Sequence, residues 1–251
     1  MSCAFCRKSG PLTKEHIWPK WLHNTGHYPI KYHRKPDKVL GAEHVIKDVC
    51  AACNSGPLSA LDDYARSLYF RFFAKRYQSI KRATFEYDFD KLSKWLLKIG
   101  YNSARAAGAS DANVFSQYAS GIIGSSRLPA SVGFSVSLLG QLISVNATTR
   151  SKKVTELIWC RVGSIGLSLS EPPIVGARTV IINSWQFRIL VAERPEMTVT
   201  ETDLARAVLR GVVLLPDSSS TKVPTIPENP EGLMHHYRDK QHLYEARRHQ
   251  G

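Results

Sequence analysis

Two Cys-x-x-Cys pairs, Cys3 with Cys6 and Cys50 with Cys53, constrain this chain more than any other feature. Four soft thiolates form the ligand set of a closed tetrahedral zinc site, and the two-residue spacer lets both sulfurs of a pair turn toward one ion. Zinc held in this way would tie the first residues to those around Cys50 and staple the stretch between them into a small module. Arg7, Lys8 and Lys47 lie close by in sequence and favour the ionised thiols. Iron bound by the same four thiolates is the alternative metal. Four cysteines leave no open coordination position, so the metal is expected to be structural and any chemistry to come from other residues. A secreted disulfide scaffold is not indicated, because a chain of 251 residues with 43% hydrophobic content buries its own core. The fifth cysteine, Cys160, sits in the apolar run from Leu157 to Val162 and reads as a core thiol.

Between the pairs runs Leu12-Thr13-Lys14-Glu15-His16-Ile17-Trp18-Pro19-Lys20-Trp21-Leu22, and Asn54 directly follows Cys53. An acidic residue, a histidine, apolar residues and a proline, bracketed by Cys-x-x-Cys and Cys-x-x-Cys-Asn, resemble the HNH endonucleases of the ββα-metal (His-Me finger) superfamily. Within it the pattern looks most like members with Asn in place of the last motif histidine, the phage junction-resolving endonucleases of the endonuclease VII type. The resemblance covers the chain up to about Ala60. It implies a treble-clef-like, zinc-bound hairpin and helix, with His16 at the end of the first strand and Asn54 at the start of the helix. By the same resemblance His16 is the general base, while Glu15 and Asn54 hold a catalytic cation, Mg2+ or Mn2+. Glu15 stands where Asp is usual, and no middle motif Asn is evident from Glu43 to Val49, where His44, Lys47 and Asp48 are the candidates to replace it.

Phosphodiester hydrolysis asks for these residue types on its own terms. A water must lose a proton near neutral pH, which suits an imidazole. Charge on the phosphate and the leaving oxygen must be neutralised, which suits a hard cation on oxygen ligands such as the Glu15 carboxylate and the Asn54 amide. Asn54 has a second reading as a helix N-cap. Trp18, Trp21 and Leu22 are expected to pack the module against the following helix, with base stacking as the other use of the two tryptophans. Asp62 and Asp63 read as an acidic helix start that favours the macrodipole.

Lys and Arg number 34 against 21 for Asp and Glu, a net charge of +13, which favours polyanionic partners. Charge alone does not choose among DNA, RNA and anionic lipid. The run from Lys31 to Lys38 and the tail from His235 to His249 concentrate basic residues. Lys14, Lys20, Lys31, Arg34 and Lys35 are the candidate phosphate contacts. No stretch approaches a membrane span and the N-terminus lacks a secretory pattern, so a cytoplasmic location is expected.

Periodicity divides the chain into a zinc-bound module over residues 1–78 and an α+β region over 79–251 of unknown role. Helices are expected over Leu58 to Tyr77, Asp90 to Ala109 (with Asp90 as N-cap), Asp111 to Ile123 and Thr200 to Leu214. Strands are expected over Gly133 to Leu139, Gln141 to Ala147, Glu156 to Val162, Arg178 to Ile182 and Gln186 to Ala192, forming a mainly antiparallel sheet. Pro216 to Pro230 reads as a loop. The function expected is metal-dependent hydrolysis of nucleic acid, DNA more than RNA. Its rivals are a nucleic-acid-binding protein without turnover and a phage or host-defence interaction module.

Overall fold

The computed structural model describes residues 1–23, 25, 30–33, 38–41, 45–75, 77, 82–139, 142–145, 152–155, 160–164, 174–200, 203 and 211–226. It mixes helices and strands, with the four cysteines clustered at its N-terminal end. The N-terminal part carries β1 (Leu12–His16), the single turn α1 (Lys20–His23), the hairpin of β2 (Ile30–His33) and β3 (Lys38–Gly41), and β4 (Val45–Cys50). β1 pairs antiparallel with β4, with a bulge between Thr13 and Glu15.

After Cys50 the chain turns helical at α2 (Ala51–Cys53), passes a wide turn over Asn54–Leu58, and continues as α3 (Ser59–Leu68) and a second wide turn over Tyr69–Phe73. The break at Gly56 has a local cause: the ring of Pro57 disfavours helical torsions on the residue before it. The expected helix from Leu58 to Tyr77 is therefore real to Phe73 but begins earlier and is uneven. Trp18 and Leu22 are 5% and 2% exposed, and the Trp21 ring lies 5.4 Å from that of Tyr69, so the expected packing against this helix is present.

The remainder consists of β5 (Arg82–Glu86), α4 (Phe89–Ala106), α5 (Ala112–Ser116), α6 (Ala119–Ile123) and β6 (Val132–Leu139), then β7 (Leu142–Val145), β8 (Lys152–Thr155), β9 (Cys160–Ser164), β10 (Ile174–Ile182), β11 (Trp185–Ala192), β12 (Val212–Val213) and β13 (Ser220–Ile226). β7 and β8 form a separate hairpin. The main sheet runs β5-β13-β6-β11-β10-β9, with β12 also on β6, and every pairing in it is antiparallel except β13 with β6.

Several expectations shift. The N-cap of α4 is Asp88, whose carboxylate accepts from the Lys91 amide at 3.1 Å, and Asp90 lies inside the first turn. The single helix expected from Asp111 to Ile123 is two short ones, α5 and α6. β5 and β13 were not visible as strands. β13 occupies part of the expected loop because Val223, fully buried, is drawn into pairing with Ala83 on β5, a tertiary contact that outweighs the Ser and Pro content. Thr200 and Asp203 exchange hydrogen bonds between side chains and backbone, the capping box of a helix start, while Val212 and Val213 at the far end of that expected helix are strand. Residues 204–210, 156–159 and the basic tail lie outside the described residues.

α4 is the hub. Leu92, Leu96, Ile99 and Ala104 are all fully buried, and so are Lys98 and Asn102. One side of the helix packs on β9, β10 and β11. It approaches closely at Gly100, where a methyl group would meet Ile189 Cδ1 and Phe115 Cε1 at 3.1 Å. The opposite side meets the cysteine-bearing end, where Tyr101 packs edge-on against Phe5 at 5.6 Å. One buried cluster consequently runs from Cys3 and Phe5 through Trp95 to Trp185 and Val223. Cys160 is half-buried against it, and burial pushes its thiol well up.

Candidate functional site

The sulfurs of Cys3, Cys6, Cys50 and Cys53 all lie within 4.8 Å of one another, and those of Cys6 and Cys50 are 3.7 Å apart. A metal at about 2.3 Å from four tetrahedral thiolates would separate them by about 3.8 Å, so the donor set and its spacing fit such an ion. Local backbone turns build the site. Arg7 takes a left-handed φ of 63° just after Cys6, its amide donates to the Cys3 carbonyl and the Cys3 amide donates to that of Lys8, both at 3.0 Å. The Cys50 amide also donates to Cys3 Sγ at 3.4 Å.

The electrostatics suit a bound cation. Burial pushes the Cys3 thiol up, but the backbone amides of Cys50, Cys6 and Phe5 outweigh it and bring it down to about 6. Cys53 is driven up by burial and by the other three sulfurs, because four adjacent thiolates repel one another unless an ion neutralises them. These four form the only cluster of three or more Cys, His, Asp or Glu ligands among the described residues.

Asn54 sits beside this cluster, and its N-cap reading does not hold. Its backbone is already helical, and no side-chain cap is made at the start of α2 or of the following turn. Its amide nitrogen instead crosses to β1, donating to Thr13 Oγ1 and to the Lys14 carbonyl, both at 2.9 Å. A carbonyl only accepts, so this contact fixes which end of the amide is nitrogen. Oδ1 is left pointing away and accepts no hydrogen bond from the described residues. Thr13 completes the tie by donating to the Val49 carbonyl at 2.8 Å.

Glu15 and His16 diverge, as successive strand residues must. Glu15 turns inward and is 3% exposed. Its Oε1 lies 2.9 Å from Lys98 Nζ and accepts from Asn102 Nδ2 at 3.2 Å. Lys98 reaches Asp62 Oδ2 at 2.7 Å as well, and Trp95 Nε1 donates to Asp62 Oδ1 at 3.2 Å. One ammonium thus serves two carboxylates. Burial disfavours the charge on Lys98, yet Asp62 and Glu15 together hold its pKa above the ordinary lysine value. Asp62 lies in the first turn of α3, as expected, and is in addition an ion-pair partner of Lys98, which the helix-start reading did not include. Among the described residues Glu15 Oε2 takes no hydrogen bond.

His16, half-buried, ends β1 opposite Val45, and its ring meets that of His23 on α1 edge-on at 6.3 Å. Its carbonyl accepts from Asn102 Nδ2 at 3.4 Å, so α4 grips the strand on both sides of the Glu15-His16 peptide. Arg105 extends the grip, donating to Asn102 Oδ1 at 2.5 Å and pairing with Asp48. Of the candidates for the missing middle Asn, Asp48 is committed to Arg105, Lys47 is exposed and His44 lies outside the described residues. Lys14 and Lys20 are exposed. Lys31 lies on β2, and Arg34 and Lys35 lie outside the described residues.

Sequence reasoning missed Lys98, Asn102 and Arg105. Lys94, Lys98, Asn102 and Arg105 recur at helical spacing as a polar stripe along α4, which ordinarily faces water. Here the stripe is largely buried.

Comparison with protein-family models, with curated proteins and with solved structures returns no match. Among the described residues no helix is long and apolar enough to cross a membrane.

Proposed function

We propose that this chain is a cation-dependent endonuclease of the HNH type, acting on nucleic acid and on DNA in preference to RNA. The observation that carries the reading is the Asn54 side chain, whose nitrogen is tied to β1 while Oδ1 is left open beside the strand that ends in Glu15 and His16. In this reading the four cysteines hold zinc, which fixes β4 and the helix start against the first pair and so sets where Asn54 lies. Asn54 Oδ1 and Glu15 Oε2 are the protein oxygens for Mg2+ or Mn2+, with water and phosphate oxygens completing its shell. The bound cation would neutralise charge on the phosphate and the leaving oxygen.

His16 accepts the proton of the attacking water, and the Asn102 bond to its carbonyl holds the strand end that presents it. Lys98 and Asn102 orient the Glu15 carboxylate by Oε1, which frees the other oxygen for the cation. Lys14 and Lys20, both exposed, meet the phosphates that flank the scissile bond, and Lys31, Arg34 and Lys35 extend that contact.

The Lys98 ammonium on Glu15 also favours a second reading. A carboxylate already neutralised from within attracts a cation less, which suits a zinc-stapled nucleic-acid-binding module without turnover. Incubating purified protein with plasmid, single-stranded DNA and RNA in Mg2+ or Mn2+, against an EDTA control, separates the two. The nuclease reading expects cation-dependent cleavage, and the binding reading expects a salt-sensitive mobility shift with intact substrate. Neither cleavage nor shift would leave the cysteine module as a staple for protein interactions.

A further inference from the structure

The register of the main sheet assembles a second polar site far along the chain from the cysteines. Arg188 on β11 lies directly across from Thr179 on β10 and Ser135 on β6, so the three side chains form a row over adjacent strands. The next row on the same face holds Gln186 opposite Ser137. The alternate residues, Phe187 and Ile189 with Val136 and Phe134, fill the core on the other face.

Two donors in this row have no acceptor among the described residues. Arg188 Nη1 and Ser135 Oγ are both buried and make no hydrogen bond to the described residues. Among the described residues Arg188 donates to Gln186 Oε1 alone, at 2.9 Å, and Ser137 Oγ donates to that same oxygen at 3.2 Å. No carboxylate among the described residues pairs with Arg188. A guanidinium nitrogen and a buried hydroxyl that each lack an acceptor are both costly, and their place on adjacent strands lets one ligand meet both. Arg188 and Gln186 are half-buried, while Ser135 and Ser137 are fully buried, and both unsatisfied donor atoms are themselves buried.

We propose that this face of the sheet binds a small oxyanion, with Arg188 and Ser135 as its donors and Gln186 and Ser137 holding the guanidinium in place. The shared chemistry is an anionic group with at least two acceptor oxygens, supplied by free phosphate, by the phosphate of a mononucleotide or by a carboxylate.

Titration calorimetry of the full chain with inorganic phosphate, with AMP and with acetate, each at ionic strength matched with chloride, tests this. Saturable binding of one equivalent is expected for at least one of the three, and the tightest identifies the source. Arg188→Gln should weaken it at least tenfold and Ser135→Ala several-fold. Binding of none of the three by the wild type, or equal affinity in a folded Arg188→Gln variant, would overturn the site. Should Arg188→Gln fail to fold, undiminished affinity in Ser135→Ala would overturn it equally.

Discussion

Lys98 Nζ, with no solvent exposure, sits 2.9 Å from Glu15 Oε1 and so joins the middle of α4 to the strand that carries His16. The same ammonium holds Asp62 at 2.7 Å, which makes three elements from distant parts of the chain meet at one buried charge. Removing that charge should therefore be felt throughout. Lys98→Met leaves two carboxylates facing each other in the interior, and a loss of about 3–5 kcal/mol is expected in chemical denaturation. Adding Glu15→Gln to that variant should recover part of the loss, and a double variant no more stable than Lys98→Met would show that the pair is not coupled.

The Asn54 bridge predicts an order among two variants. Asn54→Ala removes both bonds to β1, while Asn54→Asp also aims an acceptor-only carboxylate at the Lys14 carbonyl. Both should lower the melting temperature, with Asp the worse and a loss of about 1–3 kcal/mol. An Asp variant as stable as wild type would mean that the amide nitrogen is not the tie.

Metal removal should act locally first. Protein purified without chelator is expected to carry a single zinc, and its extraction should strip hydrogen-exchange protection from β1 and β4 before β6, β10 and β11 respond. Metal-free protein with β1 and β4 fully protected would contradict the cysteine cluster as a staple.

Asp88 offers a pH test. Burial raises its pKa, but the Lys91 amide and ammonium outweigh this and hold it below the ordinary carboxylate value. A carboxylate with a depressed folded pKa stabilises above its unfolded value and loses that contribution as pH falls through the folded one. Asp88→Ala should therefore cost about 1 kcal/mol at neutral pH and progressively less as pH falls below about 3.8. A penalty that is constant from neutral pH to strongly acid pH would contradict the charged cap.

How much of this could be read beforehand depends on how local each signal was. The four cysteines, the Glu15-His16-Asn54 pattern and the inward packing of Trp18 and Leu22 lie in short stretches whose residue types carry their own chemistry. Asp88 as the cap was missed because Asp90, two residues on, fits the same pattern. The rest was set by tertiary partners. Lys98 and Asn102 carry no local signal of the contacts they make with β1, the acidic start of α3 does not disclose that Asp62 also pairs with Lys98, and β13 reads as a loop until β5 pairs with it.

The central claim is turnover by His16, and the most direct measurement compares DNA cleavage rates of wild type and His16→Ala in Mg2+ or Mn2+. The account predicts cation-dependent cleavage by wild type and a fall of about 100-fold or more in the variant, with zinc content and unfolding temperature unchanged. Equal rates for the two proteins, or no cleavage by wild-type protein with its zinc in place, would contradict it.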